Sequence, residues 1–210
     1  MNSEDNSIEG FILTGGASSR MGFDKATLRF ENKSFIEHLS EAVFAVTERR
    51  VKLIGGFHEN VCDLPVLPDE VISSESELRR GPIVGLLTAL RHAKSEWVFI
   101  VACDLPFVTE ELIRRMASFR SKTHDAVVPM QPDGNMQPLC GFYRRKACLP
   151  FVESAIAKRD YKMGKLVSSI RTRFVEPNEV ADLAGSSSFF FNINRIEDYK
   201  TALDLNRTKH

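Results

Sequence analysis

The chain has no excess of charge of either sign, because 28 lysines and arginines balance 28 aspartates and glutamates among its 210 residues. Proteins that bind nucleic acids or anionic membranes through general electrostatic attraction normally carry a basic excess. The composition therefore argues against both classes, although it allows a local basic site. We expect neither a nucleic-acid partner nor a membrane partner.

Cysteine is scarce and is not spaced for metal binding. The four cysteines form no C-x-x-C pair, and the five histidines do not join them at zinc-ligand spacing. Residues 1–7 lack the apolar segment of a signal peptide, and no apolar run is long enough to span a membrane. These features are typical of a cytoplasmic protein with reduced cysteines, and we predict that location.

Internal repeats and low-complexity linkers are also missing, and strand patterns alternate with helix patterns along the chain. Trp97–Ala102 is an apolar run of strand length, typical of a central parallel strand buried on both faces. Ser34 and Thr109 suit helix N-caps, and Pro82 suits the first turn of another helix. Further patterns predict strands at 11–13, 51–54, 126–128 and 139–143, and helices near 147–157, 164–170 and 196–205.

This alternation predicts an α/β fold, a single-domain, doubly wound and mostly parallel sheet. We expect the domain to cover residues 9–205. A flexible N-terminus would then occupy residues 1–8, and a frayed tail would occupy residues 206–210.

Two common phosphate-binding patterns are absent from Leu13–Lys25, whose sequence is LTGGASSRMGFDK. The Walker pattern fails because no Gly-Lys-Ser/Thr follows, and the dinucleotide fingerprint fails because Gly15 and Gly16 are adjacent. Adjacent glycines nevertheless let backbone N–H groups approach phosphate oxygens, and Arg20 and Lys25 add cationic donors. The segment indicates a different phosphate cradle, although a glycine-rich turn without a ligand is the alternative.

Asp104 follows the apolar strand and precedes Pro106, at a strand end that faces the ligand crevice of an open parallel sheet. Mg²⁺ in nucleotide enzymes is usually held by one or two carboxylates and the substrate phosphates. The alternative, a cap for the helix at Thr109, is weakened by the separation of the two residues. We predict Mg²⁺ as the cofactor and Asp104 as its ligand.

Asp69 has two interpretations. A carboxylate can accept both donors on one edge of guanine, the N1–H and the exocyclic amine, a pair that cytosine and adenine do not present. A solvated loop carboxylate is the competing explanation. Gly81 precedes a predicted helix whose N-terminus would lie against the nucleotide, but simple helix packing explains that glycine equally well.

Asn192 and Asn194 alternate with apolar residues in Phe190–Asn194. A strand there would direct both amides to one face, where they could contact metal-bound water or the acceptor. A turn-forming role is the alternative. Arg159, Lys162 and Lys165 could meet an anionic acceptor, although a solvated helical face explains them better.

The segment Leu13–Lys25 resembles the signature L-x-G-G-x-S-x-R-M-G-x-D-K of the molybdenum cofactor guanylyltransferases at every fixed position. The resemblance covers nearly all of Gly10–Tyr199 and is strongest in the first third. It implies a Rossmann-like fold of the nucleotide-diphospho-sugar transferase type. It also implies GMP transfer from GTP to the terminal phosphate of molybdopterin or molybdenum-loaded molybdopterin, with transient contacts to other molybdenum cofactor biosynthesis proteins.

The resemblance also implies the site residues, with Gln137-Pro138-Leu139 near the acceptor pocket. The catalytic residues would be Arg20, Lys25 and Asp104. The nucleotide and metal contacts would come from Leu13, Thr14, Gly15, Gly16, Lys25, Asp69, Gly81, Asp104, Asn192 and Asn194. Direct attack by an ionised phosphate oxygen needs no protein nucleophile, which fits the lack of a Ser-His-Asp set or thiol–histidine pair.

Three features depart from the family pattern. The stretch between Asp69 and Gly81 is longer than is often found in the family. Ile54-Gly55-Gly56 lacks the asparagine usual near this strand end, and Arg195-Ile196 replaces the Thr-Pro that usually follows the second asparagine. Three other functions stay open. They are cytidylyl transfer to the same pterin, nucleotidyl transfer to a sugar phosphate or another small phosphate, and a non-catalytic nucleotide-binding adaptor in cofactor delivery. Cytidylyl-transferring relatives tend to carry Ala-Gly at Gly15-Gly16, which favours GTP.

Overall fold

A seven-stranded sheet lies at the centre of the computed structural model, which describes residues 7–14, 28–30, 32–55, 63–70 and 81–207. The strands are β1 Ile8–Leu13, β2 Arg29–Phe30, β3 Lys33–Ser34, β4 Lys52–Ile54, β5 Val66–Leu67, β6 Trp97–Ala102, β7 Ala126–Pro129, β8 Cys140–Arg144 and β9 Thr172–Val175. The helices are α1 Phe35–Thr47, α2 Pro82–His92, α3 Glu110–Ser118, α4 Arg145–Ala157, α5 Met163–Ser169 and α6 Ile196–Arg207.

The sheet order is β5-β4-β1-β6-β8-β7-β9, and β2 and β3 form a separate antiparallel pair. Strands β5, β4, β1 and β6 pair in parallel, as do β7 and β9, while β8 runs antiparallel to both neighbours. The prediction of a mostly parallel sheet is confirmed. Strand β6 has a parallel neighbour on one side only, because β8 borders its other edge.

Helices cover both faces of the sheet. On one face α1 and α3 pack against Trp97, Phe99 and Val101 of β6, and on the other α2, α4 and α5 pack against Val98 and Ile100. All six residues of β6 are buried, so the predicted burial on both faces is confirmed. Each fully buried side chain of this size stabilises the fold by about 1.5–3 kcal/mol.

Local signals placed the helix starts correctly. Ser34 accepts the N–H of Glu37 at 3.2 Å, and the Glu37 carboxylate accepts the N–H of Ser34 at 2.6 Å, which completes the predicted capping box. Thr109 accepts the N–H of Leu112 at the start of α3, and Pro82 begins α2. Within the described segments, no helix has both the length and the apolar character needed to cross a membrane.

The prediction of a strand at Phe190–Asn194 is wrong. A short 3₁₀ turn at Ser186–Ser188 leads into an irregular stretch that ends at α6. The stretch lies near the end of β6, and both edges of that strand are already paired with β1 and β8. It therefore passes over the carboxyl edge of the sheet instead of adding a strand.

Candidate functional site

Four parallel strands end at the same edge of the sheet, at Leu13, Ile54, Leu67 and Ala102. Thr14 extends this edge, because its N–H and its hydroxyl both donate to the carbonyl oxygen of Ile54, at 2.9 and 3.1 Å. Open α/β sheets bind ligands in the crevice beyond the carboxyl ends of their strands. The predicted residues Leu13 and Thr14 therefore lie at the edge where such a ligand crevice is expected.

The predicted phosphate cradle lies outside the described residues. Gly15, Gly16, Arg20 and Lys25 all belong to that part of the chain. The structure therefore shows the positions of the remaining predicted site residues only.

Helix α2 begins at this edge and packs closely against β1. A Cβ added to Gly85 would lie 3.0 Å from Cδ2 of Leu13, so only a residue without a side chain fits there without displacement. Gly81 caps the helix with extended backbone, and a Cβ there would meet no described atom within 4 Å. Close packing of α2 on β1 thus explains why residue 85 is a glycine. At residue 81 the described atoms leave room for a side chain, so packing among them does not require a glycine there.

The segment after β5 is fixed to α2. Thr88 is fully buried, and its hydroxyl accepts the N–H of Glu70 at 3.0 Å while donating to the carbonyl oxygen of Val84 at 3.0 Å. Asp69, half-buried, directly precedes this anchor. Sequence reasoning missed Thr88, although a threonine within the apolar run of α2 was a signal that could have found it.

Asp104 lies in the turn after β6, two residues beyond the strand. The N–H of Cys103 donates to the carbonyl oxygen of Leu13 at 3.0 Å, which ties this turn to the end of β1. Asp104 is half-buried, and its Oδ1 is a buried atom. Asp104 therefore lies near the end of β1, with one carboxylate oxygen buried.

Asn192 and Asn194 come close to Asp104 in the fold. Both asparagines are exposed, while Ile193 between them is fully buried and donates its N–H to the carbonyl oxygen of Asp104 at 3.0 Å. The predicted alternation of the side chains is present without a strand. Sequence reasoning named the two asparagines and missed Ile193.

The donor set fits Mg²⁺. Among the described residues, no group of three or more histidines, cysteines, aspartates or glutamates gathers as a protein-only metal centre. Mg²⁺ does not need one, because it is usually bound through one or two carboxylates together with substrate phosphates and waters. Asp104, a hard carboxylate just beyond the end of a parallel strand, is chemically compatible with this mode of binding.

Gln137-Pro138-Leu139 lies beside Asp104 at the same edge, just before β8 begins. The N–H of Ala102 donates to the carbonyl oxygen of Leu139 at 2.9 Å. The N–H of Gln137 donates to the carbonyl oxygen of Pro129, also at 2.9 Å. The hydroxyl of the fully buried Tyr143 donates to the carbonyl oxygen of Pro138 at 2.7 Å, and burial raises the pKa of this phenol. These bonds hold the segment firmly at the edge of the crevice.

The basic residues near α5 behave as surface residues. Lys165 forms an ion pair with Asp160, and its hydrogen bond lowers the pKa of that carboxyl. Lys162 and Arg159 are exposed. The solvated-face interpretation of these residues agrees with this arrangement.

Known proteins share this sequence and this fold. The family model of the MobA-like NTP transferase domain matches residues 10–173. A probable molybdenum cofactor guanylyltransferase from Flavobacterium johnsoniae is 34% identical over 197 residues, which is 93% of this chain and 95% of the relative.

Two solved structures show the same architecture. Molybdopterin-guanine dinucleotide biosynthesis protein A from Archaeoglobus fulgidus superposes with a TM-score of 0.75 at 21% identity, covering 95% of this chain and 99% of that one. The 2-C-methyl-D-erythritol 4-phosphate cytidylyltransferase from Thermus thermophilus gives a TM-score of 0.66 at 17% identity, covering 96% and 99%. The likeness confirms a fold of the nucleotide-diphospho-sugar transferase type.

Proposed function

The chain belongs to the family of MobA-like NTP transferase domains, and on that premise we propose that it transfers GMP from GTP to the terminal phosphate of molybdopterin or its molybdenum-loaded form. It is an enzyme, a nucleotidyltransferase. The observation that carries the choice of substrates is the match over 93% of the chain to a relative named as a molybdenum cofactor guanylyltransferase. The positions of Thr14, Asp69 and Asp104, each within two residues of the carboxyl end of a parallel strand, support this choice.

The proposed reaction exchanges one phosphorus–oxygen bond for another. A terminal phosphate oxygen of the pterin attacks the α-phosphorus of GTP, and the bond from that phosphorus to the pyrophosphate oxygen breaks. The attacking oxygen is already ionised, so the chain needs to hold it in line and to compensate negative charge. We assign that charge compensation to Arg20 and Lys25, on the basis of their chemistry and their positions in the glycine-rich sequence.

Asp104 is our proposed ligand for Mg²⁺. When bound, the ion would add positive charge beside the phosphates of the nucleotide. Asn192 and Asn194 are suited to bind water or acceptor groups at the same place, because both are exposed on either side of the residue that is hydrogen-bonded to Asp104. Gln137 lies just before β8, which pairs with β6, and we propose that it borders the acceptor.

Asp69 is our proposed acceptor for the guanine edge. Its support is the half-buried position directly before the Thr88 anchor, where a carboxylate is both accessible and restricted in movement. Leu13, Thr14 and Gly81 would line the nucleotide with backbone groups. Cytoplasmic location and transient contacts with other molybdenum cofactor biosynthesis proteins stay predictions.

The proposal is tested by measuring pyrophosphate release from each of the four NTPs, with Mg²⁺ and with or without molybdopterin. Selective, acceptor-dependent consumption of GTP is the expected result. A preference for CTP would contradict the guanylyl assignment and favour cytidylyl transfer. Nucleotide binding without turnover in the presence of the pterin would contradict enzymatic transfer and favour the adaptor.

A further inference from the structure

We infer that residues 191–203 act as a positioning segment for the nucleotide site, with Ile193 and Tyr199 as its two points of contact. These residues lie beyond the span 10–173 that the family model matches. The inference rests on the proposed function and deepens it, since it assigns roles to residues outside the signature of the glycine-rich loop. Neither residue touches the reacting atoms, so both are positioning residues.

The first contact holds the Asp104 turn. Ile193 is fully buried, and its N–H donates to the carbonyl oxygen of Asp104 at 3.0 Å. Phe107, three residues beyond Asp104, packs in the same apolar cluster as Ile193, and its ring lies 6.3 Å from the ring of Phe191. The turn is thus fixed by a backbone bond and by packing on its far side, which limits how far the carboxylate can move.

The second contact holds β2, which follows the glycine-rich sequence along the chain. The hydroxyl of Tyr199 donates to the carbonyl oxygen of Arg29 at 2.9 Å, and its ring meets the ring of Phe35 edge-on at 6.0 Å. Arg29 is four residues beyond Lys25 in the sequence. The hydrogen bond therefore fixes the start of β2, a short distance in sequence after the proposed phosphate-binding lysine.

One apolar cluster joins the two contacts. The ring of Phe30 lies 4.6 Å from that of Phe35 and 5.2 Å from that of Phe107, and all three are buried. The Asp104 turn and the chain after the glycine-rich sequence therefore share one packed surface. Because packed cores transmit displacement, a change at either contact is expected to affect nucleotide binding.

The start of α6 is fixed independently of this cluster. Asp198 accepts the N–H groups of both Asn194 and Arg195 at 2.8 Å through one carboxylate oxygen. These two hydrogen bonds fix the turn between Ile193 and α6, the helix that carries Tyr199. The two contacts are thereby set at a fixed spacing.

Tyr199→Phe tests the second contact, because it keeps the ring and removes only the hydroxyl. We expect the Kd of a fluorescent GTP analogue and the KM for GTP to rise about fivefold, the effect of one lost hydrogen bond, with the KM for the acceptor unchanged. The matched control is Thr201→Val, which removes a hydroxyl on the same helix that bonds only within α6, to Glu197. Wild-type nucleotide affinity in Tyr199→Phe would overturn the role of this residue.

Ile193→Ala tests the first contact, with Ile156→Ala as a control that makes the same deletion at a buried site in the cluster around α4. Both variants are expected to lose stability. Only Ile193→Ala is expected to weaken the binding of Mn²⁺ to the protein–GTP complex, measured by electron paramagnetic resonance, and to raise the Mg²⁺ concentration for half-maximal turnover. Equal Mn²⁺ affinity in the two variants would overturn the role of Ile193. If Ile193→Ala does not fold, the same comparison is made with Ile193→Val and Ile156→Val.

The inference and the proposed function fail in different measurements. Wild-type protein that prefers CTP or does not turn over contradicts the proposed function, and the variants are then compared with whichever nucleotide the wild type binds. Wild-type protein that transfers GMP while Tyr199→Phe and Ile193→Ala behave like their controls contradicts the inference alone. Wild-type protein that binds none of the four nucleotides would overturn both.

Discussion

Thr88 accepts the backbone N–H of Glu70 at 3.0 Å, although 18 residues of sequence separate them. The bond crosses from the middle of α2 to the segment after β5, and Thr88 is fully buried where it forms. It fixes the backbone immediately after Asp69. A helix that packs on the sheet thereby determines where the proposed base-recognising carboxylate stands.

Thr88→Val keeps the shape of the side chain and removes the hydroxyl. The N–H of Glu70 loses its acceptor, so we expect the free energy of unfolding to fall by about 1–3 kcal/mol, measured by urea denaturation. We also expect the preference for GTP over the other NTPs to narrow, because Asp69 loses its anchor. Thr201→Val, at an exposed position, serves as the control. Equal changes in the free energy of unfolding and in nucleotide preference for the two variants would contradict the anchoring role of Thr88.

Asp69→Asn replaces one acceptor oxygen with a donor. Because guanine would present two donors to this residue, we expect kcat/KM for GTP to fall about 10–100-fold. The low kcat/KM for each of the other nucleotides should change little. Asp63→Asn is the matched control, because Asp63 is an exposed carboxylate that precedes β5 in the sequence, whereas Asp69 follows it. An unchanged nucleotide preference in Asp69→Asn would exclude Asp69 from base recognition.

Asp104→Ala removes the proposed metal-binding carboxylate from the turn after β6. We expect Mg²⁺-dependent pyrophosphate release to be abolished while the thermal unfolding midpoint stays near that of the wild type, since the bonds of this turn to Leu13 and Ile193 use backbone atoms. Asp182→Ala removes an exposed carboxylate that pairs with Arg115 and is the control. Near-normal turnover in Asp104→Ala would remove Asp104 from the metal role.

Patterns that are local in sequence predicted local structure well. The capping box of Ser34 and the apolar run of β6 were recognised because neighbouring residues alone determine them. The strands β5 and β9 were missed because β5 has only two residues, β9 mixes polar with apolar residues, and the pairing of both depends on partners elsewhere in the chain. The strand predicted at Phe190–Asn194 was wrong because no sequence pattern reveals that both edges of β6 are occupied.

The same distinction applies to the candidate site. Asp104 was singled out because it follows an apolar strand, and Asp69 because a carboxylate can accept both donors on one edge of guanine. Both roles stay predictions. Thr88 and Ile193 were missed because their contacts join residues that are distant along the chain. Residues with distinctive chemistry could therefore be proposed from the sequence, whereas the buried residues that contact their turns could not.

Gly10→Ala tests how closely α1 packs on β1. An added Cβ would lie 2.1 Å from Cγ1 of Val43, and a valine side chain has little freedom to move away. We expect a loss of about 1–3 kcal/mol in the free energy of unfolding, the usual effect of overpacking. Combining it with Val43→Ala should recover part of that loss, and strictly additive effects of the two changes would contradict the predicted clash.

Glu9 makes the stability of the protein dependent on acid pH. Burial alone would raise its pKa, but the hydrogen bond from Lys52, those from the N–H groups of Lys94 and Ser95, and the charge of Lys52 outweigh burial and lower the pKa to about 2 from an ordinary value of 4.5. Because the pKa is lower in the folded state, the stabilisation is fully present above pH 4.5 and is lost as the pH falls to about 2. The shift corresponds to a contribution on the order of 3 kcal/mol.

Glu9→Gln should therefore be less stable than the wild type at about pH 7, and the difference should shrink steadily toward about pH 2, as measured by urea unfolding across that range. Glu41→Gln is the control, since its exposed pair with Lys33 is expected to contribute little at any pH. A stability difference between Glu9→Gln and the wild type that stays constant between these two pH values would contradict the lowered pKa, because only a carboxylate that titrates differently in the folded and unfolded states makes the difference depend on pH.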